Sequence, residues 1–106
     1  MEPEKDSTYT TVAKVDEIKP GQCRVVIVNE KEFALFNVSG KFYAIDNLCR
    51  HEGGPLGDGD LDDTVVTCPL HGWDYDVTNG ENHTDPDLPV KAFDVTVEGS
   101  DIKIKI

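Results

Sequence analysis

No run of apolar residues in this chain of 106 residues approaches the roughly 20 that a membrane-spanning helix needs. The opening Met1-Glu-Pro-Glu-Lys-Asp6 is polar and acidic, and it lacks the basic and apolar regions of a secretory signal. Basic residues are scarce, with ten lysines and arginines against 21 acids and a net charge of -11, which argues against a nucleic-acid partner. Three cysteines cannot pair completely, so no disulfide framework is expected and a soluble, cytoplasmic protein in a reducing compartment fits best. There is no internal repeat, low-complexity tract or domain linker. Helix signals are nearly absent too: only Val15-Asp-Glu-Ile-Lys-Pro20 could form a helical turn, and Pro20-Gly21 stops it.

What is abundant is strand periodicity. Val25–Val28 is an apolar, β-branched run, Asn29-Glu30 is a polar break, and Glu32–Phe36 resumes the apolar pattern, so a hairpin is expected there. Asn37-Val-Ser-Gly40 offers a turn before Lys41–Ile45. Further strands are expected at Thr64–Thr67, Trp73–Val77, Val90–Val97 and Asp101–Ile106, the last in strict period two. Asn79-Gly80 is a tight-turn signal, since both residues tolerate positive φ. The expectation is one all-β domain over residues 1–106, an antiparallel sandwich or barrel with a small inserted segment at about 46–87.

That segment holds the chemistry. Cys49-Arg-His51 and Cys68-Pro-Leu-His71 are separated by sixteen residues and take up two of the three cysteines and two of the three histidines. Two Cys-His pairs at short, unequal spacings make a four-ligand metal site. Structural zinc accepts the same ligand types, but it usually pairs Cys with Cys and His with His. Here each loop supplies one of each, which suits a binuclear [2Fe-2S] centre with differently ligated irons. Two ferric ions, two sulfides and two thiolates sum to zero when the other ligands are neutral imidazoles. One added electron then gives a single negative charge, a smaller burden than a four-cysteine cluster bears, so the potential is higher.

At these residues the chain resembles the Rieske iron-sulfur family, through Cys49-Arg-His-Glu-Gly-Gly-Pro-Leu56 and Cys68-Pro-Leu-His-Gly-Trp73. The resemblance implies one Rieske-type [2Fe-2S] cluster, with Cys49 and Cys68 on the buried iron and His51 and His71 on the outer one. Gly53, Gly54 and Gly72 would let the backbone curl close to the cluster, and Asp85-Pro-Asp-Leu-Pro89 would form a third, covering loop. Respiratory members carry a disulfide between the two loops where this chain has Gly54 and Leu70, and a serine where it has Trp73. Fewer hydrogen bonds to the cluster imply a potential near the low end of the family's range, about -150 mV. Tyr75 is retained.

A soluble chain of this kind is similar to the Rieske-type ferredoxins, which implies a one-electron carrier, not an enzyme, between a flavin-containing reductase and a terminal oxygenase. The small subunit of a nitrite-reductase-like assembly is the alternative, and a structural zinc module is a third reading. Residues 46–87 hold eleven acids and Arg50 as the single base, either a solvated surface or a field that steers basic partners. Arg50 could be a docking contact or a partner for Asp46. His83 reads as a solvated loop residue, Trp73 and Tyr75 as core packing on one strand face, and Cys23 as a buried small hydrophobe.

Overall fold

The structure is a computed structural model that describes residues 9–50, 53–70 and 72–105. Among the described residues ten strands follow in chain order: β1 (Tyr9–Lys14), β2 (Cys23–Val28), β3 (Lys31–Val38), β4 (Lys41–Asp46), β5 (Asp60–Asp62), β6 (Val65–Thr67), β7 (Asp74–Asp76), β8 (Ala92–Phe93), β9 (Val95–Glu98) and β10 (Asp101–Lys105). They form three antiparallel sheets, ordered β1-β10-β9, β2-β3-β4-β8 and β5-β6-β7. Helix among the described residues is confined to two 3₁₀ turns, Val15–Glu17 and Leu56–Asp58. The fold is all-β.

Turn chemistry sets the central sheet. Asn29 (φ 51°) and Glu30 (φ 69°) close the β2–β3 hairpin, and Ser39 (φ 52°) with Gly40 (φ 94°) closes β3–β4. Paired positive φ values match the right-handed twist of the flanking strands. Asn79-Gly80 behaves differently. Gly80 alone takes positive φ, and its N–H donates to Asp76 O at 2.7 Å. A Cβ on Gly80 would lie 2.1 Å from Val90 O, so the glycine serves a close backbone approach as well as a turn.

The middle strand is buried on both faces. Phe33 and Leu35 point, with Ala44, into a core shared with Ile102 and Ile104 of β10. Ala34 and Phe36 point the opposite way, with Ile45, into a second core containing Val66 and Tyr75. Period-two alternation therefore delivers apolar side chains to two layers, which explains the unbroken run Phe33-Ala-Leu-Phe36. Burying each large side chain contributes about 1.5–3 kcal/mol. The first core joins two sheets into a sandwich, and the second seats the small β5-β6-β7 sheet.

Two strands were not anticipated, β1 and β5, and one expected strand divides. Val90–Val97 is split, with Ala92–Phe93 pairing with β4 and Val95–Glu98 pairing with β10. At the break the Asp94 carbonyl accepts from Lys105 N–H at 2.9 Å. The chain thus crosses from one sheet of the sandwich to the other, a change that side-chain alternation does not reveal.

Candidate metal centre

Strand β4 runs directly into the first loop, anchored by Asn47, which is fully buried. Its Oδ1 accepts from Gly57 N–H at 2.8 Å, its backbone carbonyl accepts from Leu56 N–H at 2.6 Å, and its Nδ2 donates to Glu32 Oε1 at 2.7 Å. The second loop joins β6 to β7. Its neck is closed by Thr67 Oγ1 donating to Asp74 Oδ1 at 2.7 Å.

The two loops share one backbone design despite unequal Cys-His spacing. Cys49 N–H donates to Gly54 O at 2.9 Å, and Gly53 N–H returns a bond to Cys49 O at 2.8 Å. In the second loop, Cys68 N–H donates to Trp73 O at 2.8 Å and Gly72 N–H returns one to Cys68 O at 3.1 Å. Gly53 and Gly72, each four residues after its cysteine, both have φ of 75°. This left-handed geometry favours glycine at both positions. The matched spacing was legible in the sequence, but only the folded backbone gives it a meaning.

Both thiols are buried, each 3% exposed, and none of the three cysteines forms a disulfide. A Cβ added to Gly54 would lie 2.7 Å from Cys68 Sγ and 3.0 Å from Leu70 Cγ. The first loop therefore lies directly against the second, with no room for a side chain between them. Gly54 and Leu70, the positions implied to carry the inter-loop disulfide in the respiratory branch, face each other across this contact. Tyr75, wholly buried, places its hydroxyl 3.3 Å from Cys49 Sγ and accepts from Arg50 N–H at 2.8 Å. Once the sulfur is a thiolate, only the tyrosine can donate between them. Burial first, and then the Cys49 sulfur, push the Tyr75 hydroxyl well above the usual phenol range.

Two buried thiols without a disulfide, one packed against Gly54 and the other beside a hydroxyl donor, fit thiolate ligation of a metal cluster. Without a metal, such thiolates would be charges stranded among apolar atoms. His51 and His71, the other two expected ligands, lie outside the described residues, as does Glu52.

The remaining singled-out residues are distributed as follows. Asp46 is ion-paired to Lys31 at 2.9 Å, while Arg50 Nη1 donates to Pro89 O at 2.8 Å. Arg50 is therefore not the partner of Asp46. His83 is exposed. Half-buried Trp73 packs against the core that contains Tyr75. Cys23 is half-buried, with Sγ donating to Gly59 O at 3.3 Å, and burial followed by Asp58 and Asp60 pushes its thiol up. The third loop is tied by buried Asn82, whose Nδ2 donates to Leu88 O at 3.0 Å and whose Oδ1 accepts from Thr84 and Asp85 N–H. Leu48 and Leu70, beside the ligand positions, are 55% and 54% exposed. No helix among the described residues is long and apolar enough to cross a membrane.

A β-scaffold presenting two buried thiols in paired loops defines a thiolate metal-binding module. Residues 8–94 match the Rieske [2Fe-2S] domain family, and the chain belongs to that family and carries its cluster. The ferredoxin component of the naphthalene 1,2-dioxygenase/salicylate 5-hydroxylase systems of a Ralstonia species is 37% identical over 92% of this chain and 95% of its own. The ferredoxin of carbazole 1,9a-dioxygenase from Nocardioides aromaticivorans IC177 superposes with a TM-score of 0.86, at 34% identity, covering 92% of this chain and 96% of that one. A ferredoxin chain from a complex of reduced oxygenase and oxidized ferredoxin in carbazole 1,9a-dioxygenase gives 0.84 at 28% identity, covering 92% and 93%. Nitrite reductase small subunits align at 19% and 22% identity, which shows a shared fold alone. This chain is an electron carrier, not a catalyst.

Proposed function

We propose that the protein passes single electrons from a flavin-containing reductase to a terminal oxygenase, docking through the end that bears the two ligand loops. The carrying observation is the pair of congruent loops that bury Cys49 and Cys68 at 3% exposure while leaving Leu48 and Leu70 more than half exposed beside them. The thiols of Cys49 and Cys68 would hold one iron, and His51 and His71 would hold the other. The bound cluster supplies the single-electron capacity. Around it, the chain's own residues exclude water, donate from Tyr75 and present an apolar edge to the partner. The chain works as one unit, with residues of about 46–87 as its cluster-binding part. Three cysteines that form no disulfide suit a cytoplasmic setting.

Charge supports transient docking to basic partners. Residues 1–45 hold seven acids and six bases, whereas residues 46–87 hold eleven acids and one base. Such a field raises encounter rates and is screened by salt. In a reconstituted turnover assay with candidate reductases and oxygenases, the transfer rate should fall as salt rises. Replacing Asp58, Asp60, Asp62 and Asp63 with asparagine should flatten that dependence. A salt-insensitive rate would leave the acids as a solubility device.

A further inference from the structure

We infer that Arg50 is a positioning residue: its guanidinium latches the third loop, residues 82–90, onto the first ligand loop and keeps that cover closed. The inference rests on the electron-carrier reading above only for its claim that this end of the molecule holds the cluster.

The base of the third loop is well secured. Asn82 binds Thr84, Asp85 and Leu88, the Leu88 N–H donates to Asp85 O at 2.9 Å, and Val90 N–H donates to Gly80 O at 2.9 Å. All of these contacts tie the loop to itself or to the Gly80 turn. The bond from Arg50 Nη1 to Pro89 O, at 2.8 Å, reaches instead to the first ligand loop. Proline has no N–H, so the contribution of Pro89 to any backbone link is its carbonyl alone. A cationic donor to a carbonyl is stronger than a neutral one.

Arg50 is itself held from behind. Its N–H donates to Tyr75 Oη, the same oxygen that lies 3.3 Å from Cys49 Sγ, so the latch springs from the backbone that also carries a ligand. The carboxylate of Asp46, four residues before Arg50, is ion-paired with Lys31 at 2.9 Å. Arg50 and Pro89 also line an open groove of about 810 Å³ with Leu48, Val90 and Lys91. The latch therefore lies at this groove, beside Leu48 of the first ligand loop. Arg50 is the single base among the 42 residues from 46 to 87, and the geometry gives it a local task distinct from the acidic docking field.

The test is hydrogen exchange on the cluster-loaded protein, with Arg50→Ala and Arg50→Lys compared with wild type. Visible absorbance and the rhombic electron-spin signal independently report that the cluster is in place. Exchange at Leu88 and Val90 should quicken roughly three- to ten-fold in Arg50→Ala, as expected for loss of one exposed charge-assisted bond. Amides of β3 should keep their wild-type rates, and Arg50→Lys should recover a large part of the protection, because an ammonium can still donate to Pro89 O. Unchanged loop exchange would overturn the inference, as would acceleration spread equally through β3 or a lysine variant as fast as alanine. Loop exchange unchanged but a raised KM for the oxygenase would assign Arg50 to docking instead. Absence of the cluster signals from wild type would count against the carrier reading, separately from the latch.

Discussion

Replacing Tyr75 with phenylalanine removes one oxygen from a wholly buried ring and two hydrogen bonds with it, those to Cys49 Sγ at 3.3 Å and from Arg50 N–H at 2.8 Å. The ring still fills its place, so packing is little changed. Reduction adds negative charge that the cysteine sulfurs share, so a donor aimed at Sγ stabilises the reduced form more than the oxidised one. A hydrogen bond to a charged acceptor contributes about 1.5–3 kcal/mol in total, and a difference between redox states of about 1 kcal/mol is a reasonable share. For one electron, where a tenfold change in equilibrium is about 59 mV, losing that difference in Tyr75→Phe lowers the midpoint potential by about 40 mV. The hydroxyl is held above the usual phenol range by burial and by the Cys49 sulfur. It therefore stays a donor across neutral and mildly alkaline pH, and the gap between wild type and Tyr75→Phe should not vary from pH 6 to 9. A dye-mediated titration followed by visible circular dichroism measures both quantities. A midpoint that is unchanged, or higher, in Tyr75→Phe would refute the assignment of this hydroxyl to the sulfur.

Other positions yield equally definite outcomes. Gly54→Ala drives a methyl to within 2.7 Å of Cys68 Sγ, so it should lower cluster content and destabilise the fold by about 1–3 kcal/mol, measured by absorbance per protein and by denaturant unfolding. Asn47→Ala strips fully buried partners from Gly57 N–H and Glu32 and should cost about 2–3 kcal/mol in the same unfolding assay. The Cys23 thiol is raised by burial and then by Asp58 and Asp60. Its contribution is therefore fully present below the unfolded thiol's value of about 8.5 and is lost as pH rises toward the folded value. Above about pH 8.5, wild type should lose stability more steeply than Cys23→Ala, and parallel pH profiles would remove the thiol from the account.

Local signals made much of the fold readable. Asn29-Glu30 and Ser39-Gly40 mark their hairpins because a short polar break between apolar runs is a local signal, and the alternation in Asp101–Lys105 marks a strand with a single buried face. The double burial of Phe33–Phe36 shows as an apolar run, but which residue faces which core depends on sheets contributed from both ends of the chain. The split at Asp94 was hidden because Val90–Val97 has strand character throughout. Its change of sheet is decided by pairing with β4 and β10. At the site, spacing identified Cys49 and Cys68 as a pair, and the structure adds their burial. The spacing did not show that Gly53 and Gly72 play the same part, since the meaning of a glycine four residues after a cysteine lies in a backbone bond. Nor could it direct Arg50, which had Asp46 four residues away in sequence and Pro89 thirty-nine residues away. Long-range pairing chose the carbonyl.

The most direct test of the account is a redox titration of the wild-type protein monitored by electron-spin resonance. One-electron reduction should produce a rhombic signal, with a midpoint potential near the low end of the Rieske range, about -150 mV. A clearly positive midpoint would contradict its placement beside the oxygenase ferredoxins, and a reduced sample with no rhombic signal would contradict the cluster itself.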